Sequence, residues 1–360
     1  MTLAAHAPAS WDDILSTTFH NYRKQLTDNI FESRPLLNYY MSKGRMRTLS
    51  GGISIVEPLI YAEGDFHAYT EWESIAVTPV ETATAAQYDW KQLAATIAIS
   101  GLEEAQNNSK EMVVSLLEAK IMQAEETLKT KLNKMLFGTY DLAGAAGDAA
   151  AGFTGLPTLV SNAAVEAGKI VNEAWWASVD NDGTTATDAA GLEKALRDSY
   201  NSASDAGNDR VDAIFTNAYG FGFYESTLTP QVRYTDVEKA NLGFQNLMFK
   251  NVPMFWDFDC PGTDDDAGTV TISDASACYI GLNSKYVGLC VHSDRNFKQS
   301  PFTDNLAGSF GAATTAAGAG GAGTAAGTAL DARVSFITTF GQQTTRNRRR
   351  LFKVRNVVEA

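Results

Sequence analysis

The sequence has few of the features that mark membrane-spanning, secreted or metal-binding chains. No apolar run approaches the ~20 residues that a bilayer-spanning helix needs, and residues 1–10 lack the basic and apolar regions of a secretory signal. There are only three cysteines, Cys260, Cys278 and Cys290, without Cys-x-x-Cys spacing. This pattern predicts reduced core thiols and synthesis in a reducing compartment, rather than a disulfide framework.

Sequence signatures of catalysis and cofactor binding are also missing. There is no Walker A segment and no G-x-S-x-G elbow, and the four histidines have no ligand spacing. Residues 318–323 match the letters G-x-G-x-x-G, but they lie in a Gly/Ala-rich tract and follow no predicted strand. The sequence therefore predicts no catalytic residue, no cofactor and no metal.

Two acidic segments imitate metal-binding loops. Ser178, Asp180 and Asp182 have the spacing of a calcium loop, but Ser178 stands where the first carboxylate ligand is needed. We interpret this segment as a solvated acidic turn, and residues 264–266, three consecutive aspartates, as another turn.

The charge balance is acidic, with 29 Lys and Arg against 42 Asp and Glu and a net charge of −13. Such a balance argues against a general nucleic-acid-binding protein, whose affinity rests on neutralising phosphates. It is compatible with a container whose inner wall does not adhere to nucleic acid. It also keeps free subunits soluble.

The N-terminal third contains an arm, a hairpin and the start of a long helix. Residues 10–30 begin with a capping box and continue with apolar residues at helical spacing, and Pro35 is expected to end or redirect this segment. Residues 45–90 are rich in β-branched and aromatic residues, which predicts a long β-hairpin. Residues 109–137 carry one uninterrupted apolar stripe, which predicts a single helix of about 43 Å.

The remaining sequence predicts a mixed α+β region. A helix is expected at 189–202, capped by Thr187 or Asp188. Strands are expected at 212–216, 247–258, 268–272, 278–282, 287–292, 333–340 and 351–358. Residues 307–329 contain little except Gly, Ala, Ser and Thr, which is too little apolar area to form a core.

Two groups of side chains are candidates for subunit contacts. Phe66, Tyr69 and Trp72 are large aromatic residues on the predicted hairpin, where core packing is the alternative interpretation. Arg348, Arg349 and Arg350 belong to a basic run at 346–355 that fits intersubunit ion pairs, DNA contact or a solvated strand edge. Gly44, Gly51, Gly52 and Gly101 are candidate hinges, with ordinary turns as the alternative.

Several segments, in order and spacing, resemble one group of tailed-bacteriophage major capsid proteins. In the first third these are Asn29-Ile30-Phe31, Pro35-Leu36-Leu37, Gly51-Gly52, Pro58-Leu59-Ile60-Tyr61, Ala86 to Leu93 and Ile99 to Glu103. Further on they are Tyr224 to Gln231, Arg233-Tyr234, Gly243 to Lys250, Pro253 to Asp257, Leu282 to Tyr286 and Asn347-Arg348-Arg349.

The resemblance implies an α+β Hong Kong 97-type capsid fold with a defined division of the chain. Residues 1–43 would be the N-terminal arm and 44–92 the extended loop, a hairpin over a neighbouring subunit. Residues 93–155 would be the peripheral domain with its spine helix, and 156–305 the axial domain. Residues 306–330 would be a Gly/Ala-rich insertion, and 331–360 return strands of the peripheral domain.

The implied function is a structural, non-enzymatic one. The chain would self-assemble into hexamers and pentamers of an icosahedral head, be made in the host cytoplasm, and enclose double-stranded DNA without sequence-specific binding or a membrane. A separate scaffolding protein is expected rather than a fused scaffolding segment, because the predicted arm begins within ten residues of Met1. The resemblance also implies a portal and a decoration protein as partners. The loop has no lysine between Lys43 and Lys91, which argues against lysine cross-links there.

Three alternatives remain open at this point. The first is an encapsulin-like nanocompartment shell of the same fold. The second is an enzyme with a diverged site. The third is a nucleic-acid-binding protein that uses the basic C-terminal strand, which would show steep salt dependence.

Overall fold

The computed structural model describes residues 34–75, 77, 79–106, 116–139, 152–162, 164–204, 209–228, 247–264, 270–273, 275–304 and 332–359. The predicted helix at 10–30, residues 109–115 of the predicted spine helix and the Gly/Ala-rich tract lie outside the described residues. The chain divides into two compact units. The described residues of the first lie within Thr96–Ala124 and Pro301–Ser335, and those of the second within Glu32–Ala95, Glu125–Ser300 and Phe336–Ala360.

The described residues form a mixed α+β structure, as predicted. The helices are α1 (Pro35–Ser42), α2 (Gly101–Gln106), α3 (Leu116–Leu136), α4 (Leu156–Leu159), α5 (Ala189–Ala203) and α6 (Ala218–Thr227). The first eight strands are β1 (Met46–Leu49), β2 (Ser54–Ile60), β3 (Ala83–Asp89), β4 (Lys91–Ser100), β5 (Val179–Asp182), β6 (Ala213–Thr216), β7 (Leu247–Phe249) and β8 (Val252–Trp256). The others are β9 (Thr263–Asp264), β10 (Val270–Thr271), β11 (Ala277–Leu282), β12 (Val287–His292), β13 (Lys298–Gln299), β14 (Thr303–Asp304), β15 (Ala332–Thr345) and β16 (Phe352–Val357).

Helix α1 starts at Pro35, where the sequence predicted an end or a change of direction. Proline is well tolerated in the first helical turn, because its missing N–H would have no intrahelical partner there and its φ already suits a helix. The helix ends at Ser42, and two residues later Gly44 has φ +62° and donates its N–H to the carbonyl of Met41 at 3.1 Å. Gly44 is thus the left-handed residue that commonly follows a helix.

The predicted long helix is confirmed over Leu116–Leu136, and its role as the spine helix of a peripheral domain stays a prediction. Its 21 residues span about 32 Å at 1.5 Å per residue. In the second unit its apolar stripe is buried through Leu128, Leu132 and Met135. In the first unit Lys120 donates to the carbonyl of Ala98 at 3.1 Å and pairs with Glu103 at 2.7 Å.

The second unit contains two larger sheets. One has the order β1-β12-β15-β13, with β1 parallel to β12 and the other pairs antiparallel. The other has the order β5-β16-β11-β6-β8-β7. The two predicted return strands, β15 and β16, therefore belong to different sheets, because β15 pairs in the first sheet and β16 lies inside the second.

These strand pairs cross the predicted division at residue 305, and the assignment of peripheral and axial domains stays a prediction. Strand β12, predicted within the axial segment, pairs with β1 and β15, and β16, predicted as peripheral, pairs with β11 and β5. The physical reason is burial, since four consecutive residues of β16 from Phe352 to Arg355 are buried and need a strand on either side.

Helices α5 and α6 and the second sheet share one apolar core. Asp188 caps α5 by accepting from the N–H of Gly191 at 2.9 Å, which decides between the two predicted caps. The core contains residues of both helices and of the sheet, among them Leu192, Leu196, Phe221, Phe223, Ile214, Met254, Tyr279 and Phe352. Packing is close enough that a Cβ on Gly281 would lie 2.1 Å from the ring of Phe352.

Strands β2 and β3 form the predicted hairpin as a separate two-stranded sheet, in register from Ser54 opposite Asp89 to Ile60 opposite Ala83. The alternation is regular: Ile55 and Leu59 are buried, whereas Val56 and Ile60 are exposed. Along the part of the chain that the structure describes, no helix combines a membrane-spanning length with a sufficiently apolar composition.

Candidate functional site: an exposed loop on an anchored hairpin

The inner face of the hairpin is fixed to the body of the second unit. Its buried residues Ile55, Leu59, Ala86 and Tyr88 form a cluster with Leu159, Ala167, Trp176 and Cys290. The hydroxyl of Tyr88 donates to the carbonyl of Thr345 at 3.1 Å, and burial raises the pKa of this phenol, which stays protonated. A two-stranded hairpin is marginal alone in water, so this contact is what gives it a defined position.

A buried carboxylate adds an ionic attachment to the same face. Glu57 is 3% exposed and accepts from Arg47 at one oxygen and from Nε of Arg346, at 2.8 Å, at the other. Arg47 lies in β1 and Arg346 directly follows β15, so one acid ties the hairpin to both strands. An ionised carboxylate is tolerated at this depth only because it is paired and hydrogen-bonded.

The loop between the two strands spans residues 61–82, and most of its described residues are by contrast exposed to solvent. Of eighteen large apolar side chains exposed among the described residues, nine lie between Ile53 and Val80, six of them in the loop. The loop also has five acidic residues and no Lys or Arg. A contiguous exposed apolar segment on a soluble protein marks an interaction surface, and its charge indicates a basic partner surface.

Trp72 occupies a tight turn in this loop. The N–H of Glu73 donates to the carbonyl of Thr70 at 3.1 Å, and the side chain of Glu73 accepts from the N–H and the hydroxyl of Thr70, both at 3.2 Å. Trp72 has φ +75°, a value that such turns usually give to Gly or Asn, and its side chain is 98% exposed. A bulky residue in this conformation is an outlier, and outliers of this kind cluster at functional positions.

The three aromatic interface candidates therefore lie on the same exposed loop. Phe66, Tyr69 and Trp72 are all exposed on the loop, so core packing does not explain them. Their contact with a neighbouring subunit stays a prediction. Arg349 is exposed and Arg350 is half-buried, both in the short 3-10 turn Arg348–Arg350 before β16.

The prediction for Arg348 needs correction, because this side chain is completely buried. Its guanidinium donates to the carbonyls of Leu159 at 2.7 Å, Thr158 and Ser161 at 3.1 Å and Val165 at 3.3 Å. Burial lowers its pKa to about 10, which leaves it charged at neutral pH. Arg348 thus holds the backbone of its own chain at these four residues and has no exposed surface to offer a neighbour.

The basic strand and the two acidic segments are corrected together. Lys353 is buried and pairs with Asp264 and, at 3.5 Å, with Asp180, while Arg355 pairs with Asp180 at 3.1 Å. Asp180 and Asp264 are therefore buried ion-pair partners, not solvated turns. Among the described residues, no cluster of three or more His, Cys, Asp or Glu side chains could hold a metal ion. All three cysteines are buried and unpaired, as predicted.

The four candidate hinge glycines differ in conformation. Gly51 and Gly52 lie between β1 and β2 with φ +149° and +118°, which only glycine adopts readily. Gly44 lies two residues after the end of α1 and has a positive φ. Gly101 is the first residue of α2, and its φ is not positive. Movement at these positions stays a prediction.

Sequence reasoning missed Glu57, although a signal was present. Ile55, Glu57 and Leu59 alternate along β2 and so share one face, which makes Glu57 an inward-facing acid. Buried acids require a basic partner, and Arg47 is the nearest cation along the sequence.

The comparisons with known proteins agree with this geometry. No protein-family model and no curated protein sequence matches the chain. Among solved structures, the capsid asymmetric unit of cyanophage A-1(L) is similar at 15% identity and a TM-score of 0.60, over 95% of this chain and 98% of that chain. The capsid of a native GTA particle is similar at 10% identity and a TM-score of 0.56, over 97% and 99%. The capsid of cyanophage P-SCSP1u is similar at 11% identity and a TM-score of 0.54, over 96% and 94%.

At these identities the similarity establishes the fold. The chain therefore has a capsid-protein fold over nearly its whole length. The resemblance to tailed-phage major capsid proteins, inferred from the sequence, is confirmed at this level.

Proposed function

We propose that this chain is a major capsid protein of the Hong Kong 97 type. It self-assembles into hexamers and pentamers of an icosahedral head that encloses double-stranded phage DNA. The observation that carries the proposal is the likeness of 95% of the chain to a phage capsid subunit, at a TM-score of 0.60. The role is structural rather than catalytic.

The loop provides a physical basis for assembly. A subunit that exposes Phe66, Tyr69 and Trp72 on a fixed hairpin keeps apolar area available for a neighbour. A shell made of many identical contacts needs only modest affinity at each, because every subunit makes several at once. The net charge of −13 supports DNA that is enclosed without tight adhesion to the wall.

The nanocompartment alternative is not favoured. The similar structures reported above are phage and GTA particle capsids. On the resemblance of the sequence, we propose that a scaffolding protein and a portal take part in assembly and that the finished protein resides in the virion.

Sedimentation of the purified chain, with and without a scaffolding protein, tests the proposal. We expect large, closed particles that are in equilibrium with free subunits. Particles from a phage lysate should carry nuclease-protected double-stranded DNA. A chain that stays monomeric or dimeric under all these conditions contradicts the proposal, and particles filled with a cargo enzyme instead of DNA support a nanocompartment.

A further inference from the structure

We propose that Trp72 of one subunit inserts into an apolar pocket beside helix α1 on a second copy of this chain. The inference rests on the proposed shell function and names the place where the loop binds. It follows from three features of the second unit: an open pocket, a projecting side chain and opposite charges.

The receiving site, called here the α1 pocket, is a cavity of about 470 Å³. It lies between α1, the spine helix α3 and the sheet that contains β12. Its walls are mostly apolar and include Leu37, Met41, Met46, Leu132, Val291 and Phe297. Met41 is exposed at its mouth. Methionine side chains adapt their shape to an incoming group, which suits a docking pocket.

Trp72 has the properties of the inserted group. Its indole is almost wholly exposed, although burying such a ring is among the largest single contributions to a protein interface. The turn from Thr70 to Glu73 holds it away from its own subunit at φ +75°. The cavity volume lies in the range of 300–1,000 Å³ that accommodates small ligands, so an indole fits with room for part of the loop backbone.

The charges on the two sides are complementary. Among the described residues that line the α1 pocket, two are charged, Arg34 and Lys129, and both are basic. They share one acid, Glu126, at 3.1 and 2.5 Å, so the three groups together carry a net charge of about +1. Trp72 lies between Glu71 and Glu73 in a loop that has no Lys or Arg. Opposite charge at the rim directs and orients an encounter.

One competing occupant comes from the same chain. Residues 1–33 precede Arg34, a lining residue, and carry apolar residues at helical spacing. This segment contains Arg23 and Lys24 as well as acids, so it lacks the uniform negative charge of the loop. The positive charge at the pocket therefore favours the loop as its occupant. Binding of residues 1–33 in the pocket is the alternative outcome of the test.

Cross-linking in assembled shells distinguishes the occupants. Chains with Trp72→Cys and chains with Met41→Cys, differently tagged, are mixed, assembled and treated with a short bis-maleimide. The three native cysteines are buried and should not react. The matched control replaces Trp72→Cys with Ile53→Cys, a fully exposed residue that directly precedes β2 and lies outside the loop.

We expect a covalent dimer of the two tags for the 72–41 combination and none for the 53–41 combination. Shells that form normally but give no 72–41 dimer overturn the inference while leaving the proposed function intact. A Tyr22→Cys chain that cross-links to Met41→Cys in place of the loop also overturns it, because the arm then fills the pocket. If the unmodified chain forms no shells, the proposed function and this inference both fail.

Assembly equilibria give a second, independent readout. Trp72→Ala should raise the subunit concentration needed for assembly by about 30-fold or more, the size of an interface hot spot. Trp72→Phe should restore part of the loss. Lys129→Glu should weaken assembly more than Lys131→Glu, its matched control on the same helix. Unchanged assembly in Trp72→Ala contradicts the inference.

Discussion

Replacing Arg348 with alanine tests whether this residue stabilises its own subunit or contacts a neighbour. Its guanidinium donates hydrogen bonds to four backbone carbonyls between Thr158 and Val165, at 2.7–3.3 Å. Alanine removes these donors and leaves a cavity where a fully buried side chain had been.

The expected loss is large because the hydrogen bonds to Leu159 and Ser161 are buried and those to Thr158 and Val165 are partly buried. Each buried polar group that loses its partner costs about 1–3 kcal/mol, although some of these carbonyls should gain water in the new cavity. We therefore expect a loss of about 3–5 kcal/mol in the free energy of unfolding. Arg348→Lys should lose less, because it keeps the charge but not the planar arrangement of donors.

Urea unfolding of the unassembled subunit, followed by fluorescence, measures this loss. The matched control is Arg349→Ala, which removes an exposed arginine from the same turn and should change stability by less than about 0.5 kcal/mol. The reasoning is refuted if Arg348→Ala unfolds like the native subunit and instead prevents assembly. Arg348 would then act at a subunit interface, as its sequence alone suggested.

Two further predictions concern pH dependence and close packing. Burial raises the pKa of Asp257 to about 6, although hydrogen bonds from Asn133 act in the opposite direction. Because this folded-state pKa lies above the pKa of an aspartate in the unfolded chain, the free energy of unfolding falls as the pH rises from about 4 to 6. The free energy of unfolding of Asp257→Asn, measured relative to that of the native subunit by chemical unfolding, should therefore increase by up to about 3 kcal/mol from pH 4 to pH 7. A difference that stays constant with pH would contradict the raised pKa of Asp257. Gly281→Ala places a Cβ against the ring of Phe352 and should destabilise by at least about 2 kcal/mol. Its control, Gly222→Ala, lies in α6 with open space around it and should stabilise by up to about 1 kcal/mol; similar effects at both glycines would contradict the packing.

Features with a local signal could be predicted from the sequence. The apolar stripe of the spine helix, the alternation of the β2–β3 hairpin and the cap at Asp188 each depend on residues within a few positions of one another. The exposed aromatic residues of the loop were also identified, because such side chains without a local core partner need another surface.

The basic C-terminal run could not be interpreted correctly from the sequence. From the sequence, Lys353 and Arg355 fit intersubunit ion pairs, DNA contact or a solvated strand edge, but their acidic partners Asp264 and Asp180 lie in the same chain, 89 and 175 residues away. Only the pairing of β16 with β5 and β11 brings these charges together and buries them. The α1 pocket is likewise formed by segments that are distant in sequence, so no local pattern predicts it.

Electron cryomicroscopy of the assembled chain tests the central claim most directly. We predict closed shells in which this one chain forms both six-membered and five-membered rings, with residues 61–82 of each subunit on a neighbouring copy. Particles of a single small oligomer, or shells in which the loop contacts only its own subunit, would contradict the account.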